Sequence, residues 1–189
     1  PWAEGAAFTY ATLVRMNRWF AGAGTRTPEL PPLDIHYPRL RVEHGQLAGS
    51  FYDRRRIVVD YANGLAPAVQ SHEYGHHIFH LSQPHYTMPG GDHFFYGRSG
   101  HRSGDEQNEI DFSEGYATFV GQTFLQSDLY HDFRYSEQRA QFSAESLHGD
   151  AEPGTPTRSG DVPASGYLWE LVDPGGHGED WDRVSHDFR

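Results

Sequence analysis

Two segments of the sequence place ionisable side chains within faces that are otherwise apolar, and both do so at helical spacing. The first stripe, with steps of three and four residues, consists of Val69, His72, His76 and Phe79. The second, with the same steps, consists of Ile110, Glu114, Ala117, Gly121 and Phe124. A stripe of this spacing faces the protein core. Because an unpaired carboxylate there costs several kcal/mol, the two helices are predicted to pack together around a buried cation.

The first stripe lies in the sequence QSHEYGHHIFH, residues 70–80, which contains the spacing H-E-x-x-H. Residues four apart lie one turn along the same face of a helix, so His72 and His76 direct two imidazoles at one point. Glu73 points beside that point, which suits a group that activates a water rather than one that binds the metal. The H-E-x-x-H pattern is typical of zinc metallopeptidases, in which the glutamate is the general base. With Glu114 added, the set is the open His2Glu arrangement of a catalytic zinc site.

The motifs HEYGHH and, further along the chain, SEGYATF resemble those of the gluzincin metallopeptidases, the thermolysin-like and aminopeptidase-like group. The resemblance covers the two helices and the order of a sheet before them and helices after them. It implies a zincin-like fold, with zinc held by His72, His76 and Glu114. It also implies that Glu73 is the general base.

The sequence departs from the gluzincin pattern at two places. The stretch between His76 and Glu114 is longer than is common. Thr118 stands one turn after the third ligand, where many relatives carry an aspartate that orients a ligand histidine. Thr118 and Asp111 are therefore both candidates for the side chain that orients a ligand ring.

Other interpretations of the histidines remain open from sequence. The three polar groups of the two stripes could form a buried hydrogen-bonded network without a metal. His76 and His80 also have four-residue spacing, although His77 then occupies the position of the base and Glu73 has no role. His77 lies off the stripe and is interpreted as a satisfied or partly exposed histidine that does not bind the metal.

Composition limits the partners and the metal ligands. The 189 residues are 37% hydrophobic, which is enough for one core, and residues 1–189 are predicted to form a single catalytic domain. A net charge of −11 disfavours nucleic acid and anionic membranes as partners. The chain has no cysteine, so a metal must be held by His, Asp or Glu. No apolar run approaches the roughly 20 residues of a membrane span. The sequence does not assign a localisation, and a secreted or extracytoplasmic protein is one interpretation of a chain that does not begin with Met.

The predicted fold class is α+β, with a small mixed sheet, an active-site helix and a mostly helical C-terminal half. Strands are predicted near residues 33–38 and, joined near Asp53 and Arg54, on both sides of a turn within 49–61. Helices are predicted at residues 4–24, 67–81, 108–126, 135–148 and 164–173. Residues 84–108 lack a sustained period and are predicted to form a long loop that acts as a lid or contacts substrate.

The expected activity is zinc-dependent hydrolysis of a peptide or protein substrate. Zinc would polarise the scissile carbonyl, and Glu73 would move a proton from water to the leaving amine. The oxyanion donor is not identified from sequence, and its candidates are Tyr135, Tyr167 and His177. The edge strand around GSFY is expected to pair with an extended substrate. The alternatives are an inactive zinc-binding module of the same fold and a His-rich protein that sequesters metal.

Overall fold

The computed structural model has four helices and seven strands in the residues that it describes, which are 2–22, 31–39, 42–43, 46–47, 49–83, 104–127, 129–132, 140–143 and 161–169. The helices are α1 (Trp2–Gly22), α2 (Pro67–Ser82), α3 (Gly104–Leu125) and α4 (Asp161–Trp169). The strands are β1 (Asp34–Arg39), β2 (Val42–Glu43), β3 (Gln46–Leu47), β4 (Phe51–Tyr52), β5 (Arg56–Asp60), β6 (Leu129–Asp132) and β7 (Ala140–Ser143). The structure is therefore α+β, as predicted.

The largest described sheet has three strands in the order β1-β5-β4. β1 runs parallel to β5, and β4 runs antiparallel to β5, so the predicted small mixed sheet is confirmed. In β5 every residue from Ile57 to Asp60 is buried, whereas β1 alternates exposed and half-buried residues at its start. β5 is thus the central strand, and β4 lies at one edge.

The turn between β4 and β5 is held by Asp53. Its Oδ1 accepts the backbone N–H of Arg56 at 3.2 Å, and its Oδ2 accepts Nε–H of the same arginine at 2.6 Å. A side chain that bonds backbone two or three residues ahead fixes a tight turn. Within this turn Arg54 has φ 69°, a left-handed conformation that favours glycine or asparagine over arginine.

The core lies where α1, β5, α2 and α3 meet. Its buried members are Leu13, Met16, Ile57, Val59, Tyr74, Ile78 and Val120. α2 supplies the face with Tyr74 and Ile78, which packs on the sheet and α1, while another face turns to α3. Residues 68–79 of α2 are all buried, so a helix with several polar residues lies in the interior.

Two glycines allow α2 and α3 to approach backbone to backbone. A Cβ at Gly75 would lie 2.6 Å from the carbonyl oxygen of Ala117 and 2.7 Å from its Cα. A Cβ at Gly121 would lie 2.8 Å from Ser71 Oγ. Since real Cβ atoms do not approach backbone so closely, a larger residue at Gly75 would push the helices apart. The close contact sets the middle of α2 against the middle of α3.

A buried amide fixes the start of α2 to α1. Nε2 of Gln70 donates to Oγ1 of Thr9 at 3.2 Å and to the carbonyl oxygens of Asn63 and Gly64 at 2.9 and 3.0 Å. Asn63 in turn donates from its backbone N–H and from Nδ2 to the carboxylate of Asp60. These bonds join α1, the end of β5 and α2, and so fix the position of the helix that carries the histidines.

Most predicted elements before residue 84 are confirmed, with differences in detail. α1 and α2 occupy the predicted segments, although α1 is shifted by two residues towards the start of the chain. The predicted loop 84–108 is wrong at its end because α3 begins at Gly104. The rest of that segment, and its predicted role as a lid, lie outside the described residues.

The helix predicted at residues 135–148 is wrong, because Ala140–Ser143 forms strand β7. This strand pairs antiparallel with β6, with Tyr130 opposite Phe142. Hydrogen bonding to a second segment overrides the local preference of Gln, Arg, Ala and Glu for helix. The last predicted helix is confirmed as α4, although it begins at Asp161 rather than at residue 164.

Candidate metal centre

The middle of α2 places two imidazoles in the interior. His72 and His76 are 4% and 5% exposed, and the apolar members of their stripe, Val69 and Phe79, are buried as well. Their rings lie with centroids 4.7 Å apart and at 90° to one another. The Nε2 atoms of the two rings are 3.1 Å apart. The four-residue spacing therefore brings two ligand-type nitrogens to one point, as the sequence predicts.

α3 brings the carboxylate of Glu114 to the same point. Its Oε2 lies 3.0 Å from Nε2 of His72 and 3.1 Å from Nε2 of His76. Glu114 is held among buried residues of its own helix, including Ile110 and Ala117, and its side chain is 14% exposed. His72, His76 and Glu114 therefore form a cluster that could hold a metal ion.

Hydrogen bonds account for at most two of the three sides of this triangle of atoms, because Oε2 of Glu114 can accept from both rings. With sides of 3.0 to 3.1 Å, the directions from each corner to the other two differ by about 60°. A ring N–H points in one direction, and a neutral imidazole carries only one such proton. Three linear hydrogen bonds are therefore impossible, whereas one cation in contact with all three atoms satisfies them together.

The three side chains fit a small divalent cation. In a tetrahedral zinc site with bonds of about 2.0–2.1 Å, two ligand atoms lie roughly 3.3–3.4 Å apart. The observed separations of 3.0 to 3.1 Å differ from that value by only a few tenths of an ångström. Two imidazoles and a carboxylate are also donors that a first-row divalent metal accepts. The donor set and its spacing thus both agree with metal binding.

Thr118 orients one of the two rings. Its Oγ1 lies 2.9 Å from Nδ1 of His72, and Thr118 itself is fully buried. Thr118 follows Glu114 by one turn of α3, so the same helix face supplies both the carboxylate and the hydroxyl. Of the two candidates from sequence, Thr118 is therefore placed against His72. Asp111 is buried one turn before Glu114.

Glu73 is buried beside the cluster. It follows His72 directly in α2 and is 6% exposed. On an α-helix it lies about 100° around the axis from His72 and about 60° from His76. Its carboxylate is therefore an interior group that borders the cluster without belonging to the triangle of close atoms.

The other two histidines of α2 turn to the sheet. The hydroxyl of Tyr52 in β4 lies 3.1 Å from Nδ1 of His77 and 3.3 Å from Nδ1 of His80. Burial, followed by the charge of His80, lowers the pKa of His77 to about 4, so that ring is neutral at neutral pH. The prediction that His77 is a satisfied histidine is confirmed. The rival pair of His76 and His80 is not favoured, because within the described residues the carboxylate of Glu114 meets His76 together with His72, and His80 is not part of that cluster.

The pairing of Tyr52 with these two rings was not predicted. β4 is only two residues long, and nothing in its sequence marks the tyrosine as a neighbour of α2. A signal was nonetheless present, because His77 and His80 are three residues apart and share a helix face. Such a pair indicates a common partner on a neighbouring element, although it does not identify that partner.

Several candidates from sequence lie where the structure gives no side-chain position. Tyr135 and His177 are outside the described residues, and so is the segment 84–103. Tyr167 belongs to helix α4, but its side chain lies outside the part of the structure that is described. No oxyanion donor is therefore assigned.

The described helices include none that is long and apolar enough to cross a membrane.

Comparisons with known proteins give no relative. The sequence matches no model of a protein family, and searches of curated proteins and of solved structures find no match either. The interpretation of the cluster therefore rests on its own geometry and chemistry.

Proposed function

We propose that this chain is a zinc-dependent metallopeptidase of zincin-like fold, related to the gluzincins, with zinc held by His72, His76 and Glu114. The observation that carries the proposal is the triangle of three ligand-type atoms with sides of 3.0 to 3.1 Å in the protein interior. Three protein ligands leave a coordination position for water, which is typical of catalytic rather than structural zinc.

Zinc at this position would supply Lewis acidity towards a scissile carbonyl and towards a water molecule. Glu73 accepts a proton from that water at its carboxylate and then donates it to the leaving amine. Its buried position next to His72 in α2 suits this role, because the carboxylate lies outside the triangle of close atoms and is not one of the three ligands. Thr118 holds His72 in the orientation that directs Nε2 towards Glu114.

The edge strand β4 gives the site a place for an extended substrate. It lies at the end of the described sheet, pairs only with β5 there, and lies against α2 through Tyr52. A peptide that adds to such an edge is held by its main chain, so its backbone rather than its sequence is recognised first.

Two other functions make different demands on these residues. A metal-sequestering protein would expose its histidines, but His72, His76 and His77 are 3% to 5% exposed. A catalytically inactive zinc-binding module would need the three ligands without a base, and Glu73 is present and buried. The peptidase proposal uses both the ligands and the base.

The test separates metal binding from catalysis through Glu73→Gln, which keeps shape and removes the proton-accepting charge. We expect unchanged zinc content and folding, and a fall in peptidase kcat of about 10² to 10⁴, the range typical of general-base removal. A mixed peptide library, cut with and without chelator and read by mass spectrometry, first supplies the substrate.

The matched control is Glu109→Gln, which removes the same charge from an exposed position of α3. It should leave zinc content and kcat unchanged. If zinc is bound at one ion per chain and no library peptide is cut, the inactive-module alternative is correct instead.

A further inference from the structure

A pocket of about 430 Å³ lies at the end of α2 that follows the metal cluster. The last two turns of α2, the start of β1 and the β4–β5 turn form its walls. Its polar and charged lining consists of Asp34, Tyr52, Arg54, Arg55, His77 and His80. The proposed mechanism uses none of these residues, so the pocket requires a separate explanation.

The imidazoles of the pocket are held by one hydroxyl. Tyr52 contacts Nδ1 of both His77 and His80, and its single proton can be donated to only one of them. The other ring must therefore donate Nδ1–H to the hydroxyl oxygen. Within the described residues no hydrogen bond engages Nε2 of either ring, and both histidines line the pocket. The ring that accepts the tyrosine proton carries its own proton on Nε2 and is a donor there.

Positive charge exceeds negative charge around this pocket. Arg54 and Arg55 face a single lining carboxylate, Asp34, and neither arginine has an ion pair in the described part of the chain. The adjacent Arg56, by contrast, is paired with Asp53 at 2.6 Å. In a chain with a net charge of −11, two unpaired guanidinium groups at one pocket are a local exception.

The backbone at Arg54 adds a second observation. Its φ of 69° would be adopted more easily by glycine, so arginine here makes the turn less stable. Unfavourable backbone conformations of this kind concentrate at binding and catalytic sites. Arginine is unfavourable for the backbone conformation at position 54, but it carries a charge beside the pocket. We therefore expect the charge of Arg54 to have a role in binding.

We propose that this pocket binds a carboxylate of the peptide substrate, either the C-terminal carboxylate or an Asp or Glu side chain. The inference rests on the peptidase function proposed above and specifies its substrate class. Guanidinium groups bind carboxylates with paired, charge-assisted hydrogen bonds. The Nε2–H of the imidazole that accepts the Tyr52 proton adds a neutral hydrogen-bond donor. A cation is disfavoured as the ligand because both arginines would repel it.

The position of the pocket along α2 sets the distance between the bound carboxylate and the scissile bond. His80 follows the cluster residue His76 by one turn, a rise of about 6 Å. An extended peptide rises about 3.3 Å per residue, and side chains add to the reach. The bound carboxylate is therefore placed roughly two to four residues from the scissile bond.

Direct binding provides the first test, with zinc-loaded Glu73→Gln protein so that the probe is not cut. The probes are an acetylated tripeptide with a free C-terminal carboxylate, its amide, and the amide with a Glu side chain. At least one carboxylate probe should bind tenfold or more tightly than the neutral amide by titration calorimetry. The comparison between the two acidic probes identifies the source of the carboxylate. Equal affinity for all three probes overturns the proposal.

Arg54→Gly is the decisive variant, because it removes the charge while relieving the backbone. The carboxylate probe should bind at least tenfold more weakly, while Tm stays the same or rises. Arg18→Met removes an exposed positive charge from α1, outside the pocket, and should change the dissociation constant less than twofold. If the Arg54→Gly and Arg18→Met variants bind the carboxylate probe with the same dissociation constant, the pocket is not the carboxylate site.

With an active enzyme, Arg54→Gly should raise KM for an acidic peptide about tenfold with kcat within about threefold. A neutral analogue of that peptide should not be affected. If the probes bind as expected and no peptide is cut, the peptidase proposal fails while the carboxylate site is supported. If peptides are cut with no preference for a carboxylate, the carboxylate site is wrong and the peptidase proposal stands.

Discussion

The hydroxyl of Thr118 sets the orientation of the His72 ring relative to the cluster. Thr118 Oγ1, at 2.9 Å from Nδ1, fixes that ring nitrogen and leaves Nε2 for the triangle with His76 and Glu114. Because Thr118 is fully buried, no solvent molecule is expected to replace the hydroxyl without rearrangement. A neutral hydroxyl in this place polarises the ring less than a carboxylate would, so its main effect is orientation.

Thr118→Val keeps the shape of the side chain and removes the hydrogen bond. We expect the affinity for zinc to fall by about 10- to 100-fold, the usual result of losing a group that orients a ligand histidine. Competition with a chromophoric chelator measures this affinity. Thr118→Ser retains the hydroxyl and should stay within a few-fold of the wild type. Equal affinities for the valine and serine variants would show that the hydroxyl has no orienting role.

The cluster residues themselves should control metal content. Purified protein is expected to contain about one zinc per chain by elemental analysis, and His72→Ala or Glu114→Ala should remove it, because each takes away one of three ligands. His80→Ala should retain zinc, since His80 is not part of the cluster of His72, His76 and Glu114. Loss of zinc in His80→Ala but not in His72→Ala would establish the rival pair of His76 and His80.

At this scale the sequence predicts the cluster well and its surroundings poorly. His72 and His76 meet because of a four-residue step within one helix, which is a local property. Glu114 could be added because a carboxylate on an apolar stripe needs a partner. Tyr52 could not be placed, since its contact with His77 and His80 depends on how the β4–β5 turn is set against α2. That arrangement is tertiary and leaves no periodic trace in the sequence.

Among the elements, the contact between α2 and α3 positions the cluster. Gly75 and Gly121 remove side chains where the two backbones approach, and the Cα of Ala117 would be only 2.7 Å from a Cβ at Gly75. His72 and His76 lie on either side of Gly75, and Glu114 lies one turn from Ala117. The distance between the helices therefore sets the distance between the imidazoles and the carboxylate.

Gly75→Ala should force the helices apart, because the clash is with backbone atoms and no rotamer relieves it. Overpacking of this kind costs roughly 1–3 kcal/mol in the free energy of unfolding, and zinc affinity should fall as well. Denaturant unfolding and chelator competition measure the two effects.

Gly22→Ala is the matched control for this change, because a Cβ there meets nothing within 4 Å. Alanine should leave both stability and zinc affinity close to the wild-type values. Wild-type zinc affinity in Gly75→Ala would show that the helix spacing does not control the cluster.

The elements that were predicted correctly and those that were not differ in what stabilises them. α1 and α2 carry their own signals, an apolar period and, in α2, Pro67 in the first turn. β7 does not, because its backbone bonds go to β6. In a window taken alone, residues 135–148 have helical composition. Pairing between segments is the information that such a window lacks.

For the whole molecule, α2 is the element that touches both the sheet and the helices α1 and α3. It contacts α1, β4, β5 and α3, and Gln70 anchors its start through a buried amide. The helix that carries the cluster therefore shares its packing with the core residues Tyr74 and Ile78. As a result, a change in the occupancy of the cluster should alter the stability of the fold as a whole rather than that of one loop.

Zinc should stabilise the entire fold, by an amount that grows by about 1.4 kcal/mol for each tenfold rise in free zinc above its dissociation constant. Without zinc, Glu114 is a largely buried carboxylate that no metal ion neutralises, so the zinc-free state should be less stable than the zinc-bound state. Glu114→Leu removes that charge and should therefore be more stable than zinc-free wild type, by roughly 1 kcal/mol or more. It should also lose any dependence on zinc. Thermal unfolding at a series of zinc concentrations measures the stabilities of zinc-bound wild type, zinc-free wild type and Glu114→Leu. A Glu114→Leu variant that melts below zinc-free wild type would mean that the carboxylate stabilises the fold without a metal, as in the buried hydrogen-bonded network.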